Sequence, residues 1–175
     1  MHILILQHAR VETAGSLGKF LKEDGHTSQI IQLDEGDDIP LEANIDGLWV
    51  LGGPMDVWDE AKFPWLKDEK AFIRTQVCDK GLPFLGICLG HQLLAECLGG
   101  QVAKSRQPEV GVLDVSLTES GQTGVFFDGI PECFKTLQWH GAEVTQLPPG
   151  AKSLAWSESC HIQAIQWETR AFSVQ

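Results

Sequence analysis

The chain is short of positive charge. Only 13 of its 175 residues are Lys or Arg, against 24 Asp or Glu, which leaves a net charge of −11. Nucleic-acid binding depends on basic side chains neutralising phosphates, so a DNA or RNA partner is excluded, and an anionic membrane surface is opposed for the same reason. No apolar run approaches the ~20 residues that cross a bilayer. The first apolar stretch, Ile3 to Leu6, is too short for a signal peptide and no basic segment precedes it. The five cysteines (Cys78, Cys88, Cys97, Cys133, Cys160) form an odd set with no C-x-x-C pair, so neither a disulfide framework nor a zinc ribbon is written here. Isolated cysteines fit a reducing compartment, and a cytoplasmic protein is expected. There is no internal repeat, low-complexity tract, metal-ligand constellation or phosphate loop, so one domain (1–175) without metal or cofactor is expected.

What is present is an ordinary globular composition, with 43% hydrophobic and 21% charged residues. A chain of this size can bury roughly 70% of its unfolded surface. The run Ile3–Leu6 lacks alternation, as a strand buried on both faces does. A helix is expected over Ser16–Lys22, closed by Gly25, then strands over His26–Leu33 and Gly47–Leu51. Apolar residues at Leu66, Ala71, Phe72, Ile73 and Val77 predict an amphipathic helix over Trp65–Lys80, ended by Gly81-Leu82-Pro83. A strand over Pro83–Ile87 and a helix over Leu89–Leu98 follow. Strand–helix alternation across these hundred residues predicts an α/β fold with an open, doubly wound, mostly parallel sheet of the flavodoxin-like kind. Beyond Gln101 the pattern changes to short strand-like runs at 111–117, 136–139, 142–147, 153–156, 162–166 and 171–175, with no obvious helix. These are expected to add antiparallel ribbons to the same domain. The six tryptophans are expected to lie mostly in the core.

One segment carries chemistry. Gly86-Ile87-Cys88-Leu89-Gly90 falls between a predicted strand and a predicted helix. A nucleophile on such a turn is presented at the carboxyl end of the sheet, and glycines at both flanks remove side chains that would block strand and helix. The helix N-terminus favours thiolate over thiol, and the Leu89 amide is placed to donate to an oxyanion. The bland alternative is a small buried cysteine at a strand end, which is the expected state of the other four. A second feature, Leu51-Gly52-Gly53-Pro54-Met55, follows another buried strand and lets backbone N–H groups approach a ligand closely.

These residues carry a resemblance. Gly86-Ile87-Cys88-Leu89-Gly90-His91-Gln92, running on to Leu98-Gly99-Gly100, is similar to the nucleophile segment of class I (triad-type) glutamine amidotransferases. Gly52-Gly53-Pro54 resembles that family's oxyanion loop, and Trp139-His140-Gly141 its substrate-contacting turn. The stretch 157–164 is similar to the region before the family's catalytic histidine. The likeness is greatest to stand-alone members related to the amidotransferase domain of GMP synthase. It implies hydrolysis of the glutamine side-chain amide, or of a γ-glutamyl compound, with Cys88 as nucleophile and the amides of Gly53 and Leu89 as oxyanion donors. It also implies contacts from Gln92 and His140, and from the backbone of Met55, Trp139, Gly141 and Ala142, to the substrate. A synthetase partner accepting the ammonia is left open. The related superfamily of elbow-cysteine stress proteins fits less well, because Leu89 and Gly90-His91-Gln92 follow the cysteine.

One departure matters. The family's base and its orienting acid follow a strand like Phe172-Ser173-Val174-Gln175, where this sequence stops. The expectation is therefore a domain truncated at its C-terminus, or else an inactive relative acting as a binding or regulatory module. Among internal histidines, His140 is the best substitute base; His8 could line the pocket, and His91 is expected to point away.

Overall fold

Ile3, Leu4, Ile5 and Leu6 are at most 3% exposed, so the first strand, β1 (His2–Gln7), is covered on both faces, as an unbroken apolar run requires. The structure, a computed structural model, describes residues 1–40 and 44–175. After β1 come α1 (Gly15–Glu23), β2 (Thr27–Gln32), β3 (Gly47–Val50) and α2 (Trp65–Ile73), which runs into a π-helical turn over Arg74–Asp79. Then follow β4 (Phe84–Ile87), α3 (Leu89–Cys97), β5 (Gln101–Leu117), α4 (Glu119–Thr123) and β6 (Cys133–Gln146). The chain continues through β7 (Lys152–Trp156), β8 (Ala164–Trp167) and β9 (Ala171–Val174).

The nine strands among the described residues form one sheet in the order β2-β1-β3-β4-β9-β8-β7-β5-β6. The first five are mutually parallel, and every pairing beyond β9 is antiparallel. The order of the parallel part reverses direction at β1, which is the doubly wound arrangement. Leu4, Leu6, Leu48 and Val50 pack under Leu66, Phe72, Leu93 and Leu94 of α2 and α3. Ile3, Ile5 and Leu51 form a smaller cluster with Ala14 and Leu21 on the other face. Lys70 of α2 donates to Glu96 of α3 (2.8 Å) and to the Val57 carbonyl (2.7 Å), tying the two helices and the preceding loop together.

The antiparallel half departs from the sequence reading in detail. The two runs expected at 136–139 and 142–147 are one strand, β6 (14 residues), because the longer β5 (17 residues) pairs with it on both sides of the gap, with Glu109 opposite His140. A five-residue helix, α4, was not expected; Thr118 caps it by accepting from the Gly121 N–H. Of the six tryptophans, Trp49, Trp65 and Trp167 are half-buried and pack against the core, while Trp58, Trp139 and Trp156 are exposed. Trp139 pairs across strands with Val110, and Leu137 with Val112, so an apolar strip lies on the open face of the β5–β6 ribbon rather than in the core.

Candidate active site

Because β1, β3, β4 and β9 run in one direction, their carboxyl ends meet at one edge of the sheet. The segments leaving them carry His8 and Glu12, Gly52 and Gly53, Cys88, and Gln175 respectively. The turn after β4 is tight. Cys88 has φ 52° and ψ −104°, a backbone state that non-glycine residues rarely hold, and such strain concentrates at functional sites. It is held from both sides: the Cys88 N–H donates to the Val174 carbonyl (2.8 Å), and its carbonyl accepts from the N–H groups of His91 and Gln92. The flanking glycines are required by space. A Cβ at Gly90 would collide with the Val50 carbonyl, and one at Gly86 would lie 2.6 Å from the Gly90 carbonyl.

The double-glycine loop lies alongside. A Cβ at Gly52 would sit 3.6 Å from the Cys88 Cβ, and one at Gly53 would lie 2.9 Å from Leu89 Cδ2. Both loops border a cleft of about 770 Å³, roofed by the 139–142 segment of β6. Cys88, Gly53, Leu89, Met55, Gln92, Trp139, His140, Gly141 and Ala142, all singled out from sequence, line this one cleft. Sequence reasoning missed Glu12, Asp56 and Gln175, which line it too. They lie in loops or at a strand end, where acidic and amide residues are ordinarily solvated, so no local pattern marks them.

The sulfur does not behave as the helix N-terminus alone suggested. Burial pushes the Cys88 thiol up, and the Glu12 carboxylate adds to this, outweighing the Leu89 N–H and the Gln175 side chain that favour the thiolate. The histidines are also differently placed. The His140 ring, 1% exposed, faces inward, with Nε2 2.9 Å from Glu109 Oε2 and Nδ1 3.1 Å from the Ala142 carbonyl. It therefore contributes backbone rather than ring to the cleft, and no nitrogen is left to serve as the substitute base. His8 does not line the pocket either; it is buried behind the Gly52 loop. His91 points away, bonded to Ser173 Oγ and the Ile162 carbonyl, and burial brings its pKa down to about 3. Among the described residues no imidazole is hydrogen-bonded to the Cys88 sulfur.

Behind the 139–142 wall lies a buried polar network. Glu109 accepts from Ser157 Oγ (2.6 Å) and Gln163 Nε2 (2.6 Å) as well as pairing with His140. Glu109, His140 and Cys160 bring donor atoms within 4.8 Å of one another, the spacing of a metal cluster. Both Glu109 oxygens are nevertheless taken by hydrogen bonds, and burial pushes the Cys160 thiol up to about 12. A neutral thiol beside a satisfied carboxylate is a hydrogen-bond network, not a ready ligand set. Gln92 joins the same wall, donating to the Ala142 carbonyl and to Gln175 Oε1, both at 3.1 Å.

A cysteine on a strained strand-to-helix turn, opposite a double-glycine loop at the carboxyl edge of a doubly wound sheet, defines an α/β protein of the nucleophile-elbow class. Within that class the chain belongs to the class-I glutamine amidotransferase family, whose model matches residues 14–175. It is similar to the glutamine-hydrolysing GMP synthase of Aeropyrum pernix, with 35% identity over 163 residues, covering 91% of this chain and 29% of that one. One subunit of the glutamine-hydrolysing GMP synthase of Sulfolobus acidocaldarius is 35% identical over 125 residues, 71% of this chain and 62% of that one. This chain thus spans less than two thirds of either relative. The solved structure of a glutamine amidotransferase from Thermotoga maritima superposes with a TM-score of 0.90 at 29% identity, covering 100% of this chain and 74% of that one.

Proposed function

We propose that the chain hydrolyses the side-chain amide of glutamine, or a γ-glutamyl compound, at Cys88. The observation that carries this is the convergence of the strained Cys88, the Gly53 and Leu89 backbones and the 139–142 wall on one cleft. The thiolate attacks the amide carbon, and the amides of Gly53 and Leu89 receive the tetrahedral oxyanion. The nitrogen gains a proton and leaves as ammonia, and the γ-glutamyl thioester is opened by water to give glutamate and the thiol. Because burial holds the thiol protonated, a base must take its proton. The carboxyl end of β9 lies beside the elbow, with Val174 paired to Ile87, so residues following Gln175 in a longer chain would emerge at the sulfur. The family resemblance puts the catalytic histidine and its acid there. The Sulfolobus relative is one of the subunits of a GMP synthase, which supports a synthetase partner that takes up the ammonia, and five unpaired cysteines suit a cytoplasmic setting.

A second reading, a non-catalytic binding module, is favoured by one observation: every internal histidine near the cleft has its ring engaged elsewhere. Incubation with glutamine, of this chain and of one continued past Gln175, with glutamate and ammonia measured, separates the two. Release that vanishes on Cys88→Ala supports the hydrolase. No release from the continued chain removes it. A panel of γ-glutamyl amines and peptides then identifies the leaving group.

A further inference from the structure

The peptide joining Gly52 to Gly53 is not held by its own residues. Two adjacent glycines impose no side-chain limit on its orientation, and neither belongs to a strand or helix. One contact grips it from behind. His8 Nδ1 lies 2.9 Å from the Gly52 carbonyl oxygen, and His8 Nε2 lies 2.8 Å from Glu69 Oε1 on α2. Both side chains are wholly buried, and the ring stacks on Trp65 at 5.6 Å and 22°. The ring therefore cannot turn. A carbonyl only accepts, so Nδ1 must carry the proton in that bond. Burial pulls the His8 pKa down, but the Glu69 carboxylate, the Gly52 carbonyl and the half-buried Glu12 together raise it above the ordinary value.

The consequence lies on the far end of the peptide. All peptide bonds among the described residues are trans, and in a trans unit the C=O and the following N–H point in opposite directions. A ring that fixes the Gly52 oxygen thereby fixes the Gly53 N–H. That N–H donates to no backbone acceptor among the described residues, and Gly53 lines the cleft packed against Leu89. We propose that His8, anchored by Glu69, is a positioning residue that locks the Gly52–Gly53 peptide with its unspent N–H turned into the Cys88 cleft. The proposal rests on the reading of Cys88 as a nucleophile that generates an oxyanion, and it adds to that reading the part that keeps one donor in place.

Two reagents separate positioning from mere packing. Iodoacetamide alkylates a thiolate by direct displacement and needs no oxyanion donor, whereas the chloroketone analogue of glutamine is drawn in through its carbonyl. His8→Leu should slow chloroketone labelling of Cys88 by roughly tenfold or more, with iodoacetamide labelling unchanged. His8→Asn, whose amide nitrogen falls near the Nδ1 position, should recover most of the loss. Equal slowing of both reagents, or no slowing, overturns the proposal. In the unsubstituted protein, long-range proton–nitrogen correlation spectra should show His8 Nδ1 protonated across neutral pH; an unprotonated Nδ1 overturns it without any variant. If iodoacetamide labels Cys88 but the chloroketone does not, the glutamine reading fails. Crystal structures with and without the His8 ring then decide the clamp: a flipped 52–53 peptide upholds it and an unmoved one overturns it.

Discussion

Cys88 is held open to the cleft by its backbone and restrained by its surroundings. Its φ of 52° is enforced by bonds to Val174 on one side and to His91 and Gln92 on the other, while burial and Glu12 keep the proton on sulfur. A raised thiol pKa means that the thiolate fraction, and so the alkylation rate, continues to climb at pH values where an ordinary cysteine has levelled off. Glu12→Gln removes the carboxylate that opposes the thiolate. The pH midpoint of iodoacetamide labelling should move down and the rate at pH 7 should rise; an unmoved midpoint would show that burial alone sets the shift. Local sequence marked Cys88, because flanking glycines at fixed offsets follow from the space between β4 and α3. Glu12 was illegible, because it reaches the sulfur only through the packing of the loop after β1 beside the loop after β3.

Each wall of the cleft rests on an element behind it. The double-glycine loop leans, through His8, on Trp65 and Glu69 of α2. The 139–142 wall leans on β5 through Glu109, which also collects Ser157 and Gln163 from the connection between β7 and β8. Removing one member of such a buried set leaves the others unpaired, and each buried polar group left without its partner costs about 1–3 kcal/mol. Glu109→Ala should therefore lower stability by about that much in urea titration, with Glu109→Gln milder because its amide keeps an acceptor for Ser157. A loss below about 1 kcal/mol would show that the network is not what holds this wall. These partners come from three separate stretches of chain, which is why composition and periodicity placed the strands but not the bonds between them.

Across the whole molecule, burial is spent unevenly. The parallel half covers β1, β3 and β4 with helices, while the β5–β6 ribbon leaves Val112, Leu137 and Trp139 more than 60% exposed. At the seam between the halves, His91 ties α3 to β9 and to the approach of β8 as a neutral ring. Its folded pKa of about 3 lies below the value of 6.5 that applies to the unfolded chain. Below pH 6.5 the unfolded state therefore binds a proton that the folded state refuses. Stability is unaffected by this group above that pH and falls by about 1.4 kcal/mol per pH unit as the pH drops towards 3. His91→Gln should flatten the acid limb of a denaturation-midpoint profile; an unchanged slope would assign acid sensitivity elsewhere. No helix among the described residues is long and apolar enough to cross a membrane.

The parallel strands, the helices between them and the cysteine elbow were legible in the residues, because an unbroken apolar run, a 3.6-residue period and a glycine at a close approach are local consequences of local chemistry. The single long β6, the exposed tryptophans, the inward turn of His140 and the grip of His8 on Gly52 were settled by packing. Each depends on which distant segment lies opposite, and a partner 31 or 44 residues away leaves no mark on the sequence beside it.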